Sequence, residues 1–259
     1  MTGRITAGTV RPLNTATLPG WQGFPLEETL KVRLHLPVTV LNDARAATWG
    51  EATLGAGRGL SEFMFITVST GIGAGLVLGG RLHLSHNGLE GELGFSLTEA
   101  GLMGKSAKTY RLPGLVFKKT ALEYEASGGA LGRFARSRGW QGAAELVKRA
   151  EGGDLEAQAA YRRSASAVAQ KIADAAVLLG LSRVALGGGV GLRDSYLEGV
   201  KASLDALPEV YRVEVVHAAL GADAGLLGAA VFVDRSQESV VSRKATPDGS
   251  RLLAPPRRV

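Results

Sequence analysis

The chain has 259 residues, 45% of them hydrophobic, which suffices for a substantial core in one large domain or two lobes; its 36 glycines gather mostly in Gly-x-Gly runs. It has no cysteine, which excludes disulfides and thiolate metal sites. It also has no apolar run near the roughly 20 residues that span a bilayer and no signal-peptide core in Met1–Thr6, so a soluble, cytoplasmic protein with no membrane partner is expected. Of the net charge of +6, most sits in residues 235–259, where six basic residues face two acidic ones. That segment reads as a solvated, disordered basic tail. It leaves a nearly neutral body, which argues against a nucleic-acid partner; such a role is open to the tail alone, with a passive tail the preferred reading.

In chain order, Pro25-Leu26-Glu27-Glu28 opens a short helix that runs to Leu34, with proline and acidic residues suited to a first turn. The β-branched run Pro37–Leu41 predicts a strand, and Ala44–Leu54 a helix. Phe63–Val68 predicts a buried strand; Gly75–Leu78 and Arg81–Leu84 predict further strand around Gly79-Gly80. Residues 99–120 carry no clean period and read as loop. Beyond them the chain is helical as far as Leu181, most clearly from Ala157 to Leu179, where Val168, Ile172, Ala175, Ala176 and Leu179 recur at helical spacing. A strand at Arg183–Leu186, a helix at Asp194–Leu207, a strand at Val213–Val216 and an apolar helix at Asp223–Val233 complete an α/β alternation.

Asp43 follows the run ending at Leu41 and precedes a helix, the place where α/β sheets gather ligands. There it can act as a base toward a substrate hydroxyl, or Asn42 or Asp43 can simply cap the helix. Ser69-Thr70-Gly71-Ile72-Gly73-Ala74-Gly75 joins two predicted strands and offers N–H groups and a hydroxyl to anionic oxygens, although a plain hairpin turn has the same pattern. It is neither a dinucleotide fingerprint nor a P-loop, since a strand follows it and no Gly-Lys-Ser/Thr appears. Gly187, Gly188, Gly189, Val190 and Gly191 lie between a strand and a helix, where a nucleotide can meet bare backbone or where a turn merely needs little room. Glu92 and Glu123 stand beside glycine turns as candidates to hold hydroxyls, although a plain solvated glutamate has the same surroundings in sequence. His35, His83, His86 and His217 have no ligand spacing, so no metal ligands are assigned.

Taken together, these segments resemble the ROK family of bacterial sugar kinases and sugar-responsive repressors, within the actin-like ATPase (ribonuclease H-like) superfamily. The resemblance runs from Thr2 to about Asp234. Phe65–Gly71, Gly187–Leu192 and Asp223–Ala230 make it most similar to the N-acetylmannosamine kinase branch of sialic acid catabolism. The resemblance implies ATP and Mg²⁺ as cosubstrates, a hexose or N-acetylated hexosamine phosphorylated at its 6-hydroxyl, and a homodimer. It implies Asp43 as the base, with Asn42, Glu92 (from Glu-x-Gly-His) and Glu123 (from Leu-Glu-x-x-x-Ser-Gly) on the sugar. Thr70, Gly71 and Gly73 would form a phosphate motif, and Gly187, Gly188 and Gly189 would line the adenosine site.

Three departures from the family pattern stand out. Nothing here matches the Asp-x-Gly-Gly-Thr strand that opens the family and grips ATP phosphates. Phe95 replaces the histidine of Glu-x-Gly-His, and Gly114, Val116 and Ala121 stand where three zinc-binding cysteines would be, so no zinc is expected. The histidine also helps to place the sugar in the family. The expectation is therefore two lobes, the N-terminal one incomplete: residues 1–41 a remnant of it, 42–234 the C-terminal lobe and 235–259 a tail. Alternatives are a catalytically impaired or non-catalytic sugar or nucleotide binder, or a truncated product of a longer gene.

Overall fold

The computed structural model describes residues 3–13, 19–99, 108–112 and 115–232, without the side chains of 108–112 and 115–119. The expected tail, 235–259, lies outside the described residues.

Strands β1 (Gly3–Thr6) and β2 (Thr9–Pro12) form an antiparallel hairpin, followed by helix α1 (Leu26–Leu34). Helix α2 (Asp43–Leu54) leads into β3 (Phe63–Val68), β4 (Ile72–Leu78) and β5 (Arg81–Leu82). After a 3₁₀ turn at Leu93–Phe95, strands β6 (Leu97–Glu99), β7 (Lys108–Leu112) and β8 (Leu115–Ala121) form a small sheet of order β6-β8-β7. Helices α3 (Leu122–Ala126), α4 (Gly128–Ser137), α5 (Ala143–Glu151) and the 25-residue α6 (Leu155–Leu179) follow. The chain then runs through β9 (Arg183–Gly187), α7 (Gly188–Gly191), α8 (Asp194–Asp205), β10 (Glu214–His217) and a closing helix α9 over residues 224–232.

The main sheet has the order β10-β9-β3-β4-β5. Its central strand, Phe-Met-Phe-Ile-Thr-Val, is apolar on both faces, as a strand covered on two sides must be. Side chains alternate along it. Met64, Ile66 and Val68 join one core with Val168, Ile172 and Leu131, while Phe63 and Phe65 join a second with Ala47 and Trp49. Strands β3, β9 and β10 are parallel, so Val68, Gly187 and His217 end together at one edge of the sheet. Ligands collect at such an edge.

Helices α2 and α9 meet backbone to backbone. A Cβ on Gly50 would lie 2.5 Å from the Ala224 carbonyl oxygen, and one on Gly228 would run into the Ala46 carbonyl. The Ala46 and Gly50 side of α2 is small for this reason, which fixes the helix against α9.

Two expectations are corrected. Residues 37–41 are not a strand; they are irregular chain with Pro37 and Thr39 exposed, because β-branched residues need a partner edge and none is offered there among the described residues. Residues 99–120 are not simply loop: β7 and β8 pair with Leu112 opposite Leu115. The signal was the Pro113-Gly114 dipeptide between two β-rich runs, a turn mark in any sequence. Smaller differences are the start of β4 at Ile72 instead of Gly75 and the end of β5 at Leu82.

Candidate functional site

Helix α2 begins where the cap chemistry says it should. Asn42 holds an extended conformation, and its Oδ1 accepts from the N–H of Ala44 (3.0 Å) and of Arg45 (3.3 Å). The capping residue of the Asn-Asp pair is therefore Asn42. Asp43 Oδ1 also accepts from Ala44 N–H, at 2.9 Å, and its exposed carboxylate stands at the positive end of the helix.

The turn between β3 and β4 faces it across a cavity of about 270 Å³, lined by Asn42, Asp43, Thr70, Gly71, Gly73, Glu92 and Glu123 among others. The turn is held on both sides. Ser69 N–H donates to Gly71 O at 2.9 Å; Gly128 and Gly129, in the first turn of α4, donate to the carbonyls of Ser69 (2.7 Å) and Thr70 (3.1 Å). Glu123 Oε2 accepts from Ile72 N–H at 3.0 Å. A Cβ at Gly71 would collide with that oxygen, so the glycine admits the carboxylate. The N–H groups of Thr70 and Gly71 make no hydrogen bond among the described residues, which leaves two donors at the cavity.

Glu92 enters from the opposite wall, its side chain 14% exposed. Burial raises its proton affinity above the usual carboxylate range; Arg45 opposes this, while the charges of Glu90, Asp43 and Glu123 add to it. Three acidic groups thus converge on one small cavity. Among the described residues no lysine or arginine lines it.

The glycine run stands apart from the cavity, at the end of the neighbouring strand, with Gly187 in register with Thr67. Its three candidate residues have different reasons for being glycine. A Cβ on Gly187 would lie 2.6 Å from the Phe65 ring, and Gly188 combines φ +83° with a Cβ position 2.6 Å from the Val68 carbonyl oxygen. Gly189 alone opens on empty space. Gly187 and Gly188 let the strand and helix close on β3, while Gly189 leaves open space above its backbone.

Sequence reasoning missed five participants. Arg45 and Glu90 form an ion pair at 3.0 Å, with side chains 3% and 5% exposed. Gly128 and Gly129, adjacent to the Glu123 motif, anchor the 69–71 turn. Glu51, fully buried, accepts from the N–H groups of Ala56, Ala219 and Leu220 and so ties α2 to the loop after β10. Only Glu90 carried a signal, its place two residues before Glu92. No cluster of three or more His, Asp or Glu side chains suited to a metal occurs among the described residues. Position 95 is phenylalanine, and the chain has no cysteine.

A family profile described as the ROK family matches residues 1–236. The chain belongs to the ROK family. It is 38% identical over 239 residues to the N-acetylmannosamine kinase of Yersinia pestis (strain Pestoides F), covering 91% of this chain and 78% of that one. Among solved structures, the ROK hexokinase of Thermus thermophilus superposes with a TM-score of 0.70 at 32% identity, over 91% of this chain and 78% of that one. A ROK family glucokinase from Streptomyces griseus, in complex with glucose and AMPPNP, gives 0.65 at 29% identity, over 82% and 73%. This ROK chain accordingly has the actin-like ATPase fold, and its central β10-β9-β3-β4-β5 sheet is the platform for the site.

Proposed function

We propose that this ROK protein transfers the γ-phosphoryl group of MgATP to the 6-hydroxyl of an N-acetylated hexosamine or hexose, with N-acetylmannosamine the first substrate to test. The observation that carries the reading is the convergence of Asn42, Asp43, Glu92 and Glu123 on one cavity whose far wall is the 69–71 turn. Its 270 Å³ lies just below the usual range of small-molecule sites, about 300–1,000 Å³.

In this reading Asp43 takes the proton of the hydroxyl as its oxygen attacks phosphorus, and the bond from phosphorus to the bridging oxygen breaks to release ADP. Glu92, Glu123 and the amide of Asn42 bind sugar hydroxyls. Thr70 and the N–H groups of Thr70 and Gly71 receive phosphate oxygens, and the adenosine lies along Gly189. Residues 1–41 and 42–234 act as two lobes around the sugar, in a cytoplasmic homodimer. Among the described residues no helix is long and apolar enough to cross a membrane.

A second reading, binding without turnover, is supported by a cavity lining that, among the described residues, holds three carboxylates and no basic side chain. Phosphoryl transfer depends on charge stabilisation, and each missing preorganised donor lowers the rate by about 10²–10³-fold.

A coupled assay of ADP release with MgATP and N-acetylmannosamine separates the two. Turnover that falls by about 10²–10⁴ in Asp43→Asn supports the kinase. Calorimetric sugar binding with no turnover supports the binder, and neither binding nor turnover with any hexose or N-acetylhexosamine rejects both.

A further inference from the structure

Arg45 stands two residues beyond Asp43 in the first turn of α2, yet its side chain is 3% exposed and points away from solvent into the loop of residues 85–92. It is bound there at five points. Nε donates to Glu90 O at 3.1 Å and pairs with Glu90 Oε1 at 3.0 Å. Nη2 donates to Gly88 O at 3.1 Å and Glu90 O at 2.6 Å, and reaches Glu92 Oε1 at 3.5 Å. A planar guanidinium held by two carbonyls and two carboxylates has almost no freedom to re-aim. Glu90 is fixed in turn by the Ser85 hydroxyl.

We propose that Arg45 is a positioning residue of the cavity: it fastens the 85–92 loop to the same helix turn that carries Asp43 and so sets where the Glu92 carboxylate stands. The sugar-binding consequence rests on the functional reading above; the placement of Glu92 does not. One helix turn thereby presents Asp43 on one side and, through Arg45, Glu92 on the other, so the two carboxylates move as a unit.

The charges facing Glu92 are Arg45 and Asp43 from α2, Glu90 from its own loop and Glu123 from α3. Arg45 is the one that favours the ionised form. It is shared, however, with Glu90, which holds it at the shorter distance. Two opposite effects follow. Removing the arginine charge raises the proton affinity of Glu92, whereas removing the Glu90 charge releases the guanidinium toward Glu92 and lowers it.

The test uses the full chain labelled with ¹³C at the glutamate carboxyl carbon, the Glu92 signal being assigned by its loss in Glu92→Gln. The titration midpoint of that signal is expected to rise in Arg45→Gln and to fall in Glu90→Gln. In parallel, calorimetry at neutral pH is expected to show N-acetylmannosamine bound about tenfold more weakly by Arg45→Gln, partly restored in Arg45→Lys, as when one charge-assisted hydrogen bond is lost. A Glu92 midpoint that stays put in both variants, or moves the same way in both, overturns the proposal. Should Arg45→Gln fail to fold, Glu90→Gln decides alone: a fall supports the role, and no change or a rise overturns it. A wild-type chain that binds no sugar sinks the functional reading, while the carboxylate titrations still decide the role of Arg45.

Discussion

The turn after β3 and the turn after β9 are both glycine-rich, both lie at the carboxyl edge of one sheet, and in sequence they invite the same reading. Around the first, glycine makes room for the protein itself: Gly71 admits the Glu123 carboxylate, and Gly128 brings its N–H within 2.7 Å of the Ser69 carbonyl. Around the second, Gly187 and Gly188 serve packing and backbone geometry, and Gly189 alone faces open space. A glycine run near a ligand edge thus mixes residues that build the platform with residues that leave space above it. Only the surroundings of each tell them apart.

The largest effect that sharpens this contrast lies beneath both turns, at the contact of α2 with α9. Gly228→Ala drives a methyl into the Ala46 carbonyl, in a place where neither helix backbone can yield locally. A loss of about 3 kcal/mol is expected in urea unfolding, at the upper end of overpacking costs. An unchanged midpoint would show that the two helices are not in fixed contact.

Next comes Gly71→Ala. The new methyl expels Glu123 from the Ile72 N–H, and the variant is expected to lose about 1–3 kcal/mol of stability together with most of its sugar affinity. Denaturant titration and calorimetry on one sample measure both. If sugar binding survives, Glu123 does not serve the sugar.

Glu92→Gln probes the charge in the cavity. Because burial raises the proton affinity of Glu92, the folded chain binds more protons than the unfolded chain between the ordinary carboxylate value and the raised one. Stability of the wild type therefore falls as pH rises through that window. The melting temperature of Glu92→Gln is expected to match wild type in acid and to exceed it at neutral pH. The opposite order would mean that Arg45 outweighs burial.

The smallest effect belongs to Gly189→Ala. With no atom within 4 Å of its Cβ position, stability is expected to stay within about 0.5 kcal/mol while the KM for ATP rises and kcat holds. A stability loss there comparable to that of Gly71→Ala would erase the distinction between the two turns.

Much of the site was legible in advance because its signals are local. Asn42-Asp43 before an alanine-rich helix marks a helix start with a polar cap, and Phe63–Val68 followed by Ser-Thr-Gly is a strand running into a tight turn. Such features depend on a few neighbouring residues and on backbone rules that every chain obeys. The strand expected at residues 37–41 failed for the complementary reason: extended propensity becomes a strand only where another edge completes its hydrogen bonds.

By itself, then, the sequence determined the α/β order, the central strand, the start of α2, the identity of the acidic groups and the family to which the chain belongs. Tertiary structure alone decided which of these groups share a cavity. Asp43, Gly71, Glu92 and Glu123 are separated by as many as 80 positions and meet because β3 pairs with β4 while α3 docks its Glu123 on Ile72. Arg45 looks in sequence like a solvated helix charge. Its burial between Glu90 and Glu92 is a property of the surrounding loop, fixed by contacts that no local pattern encodes.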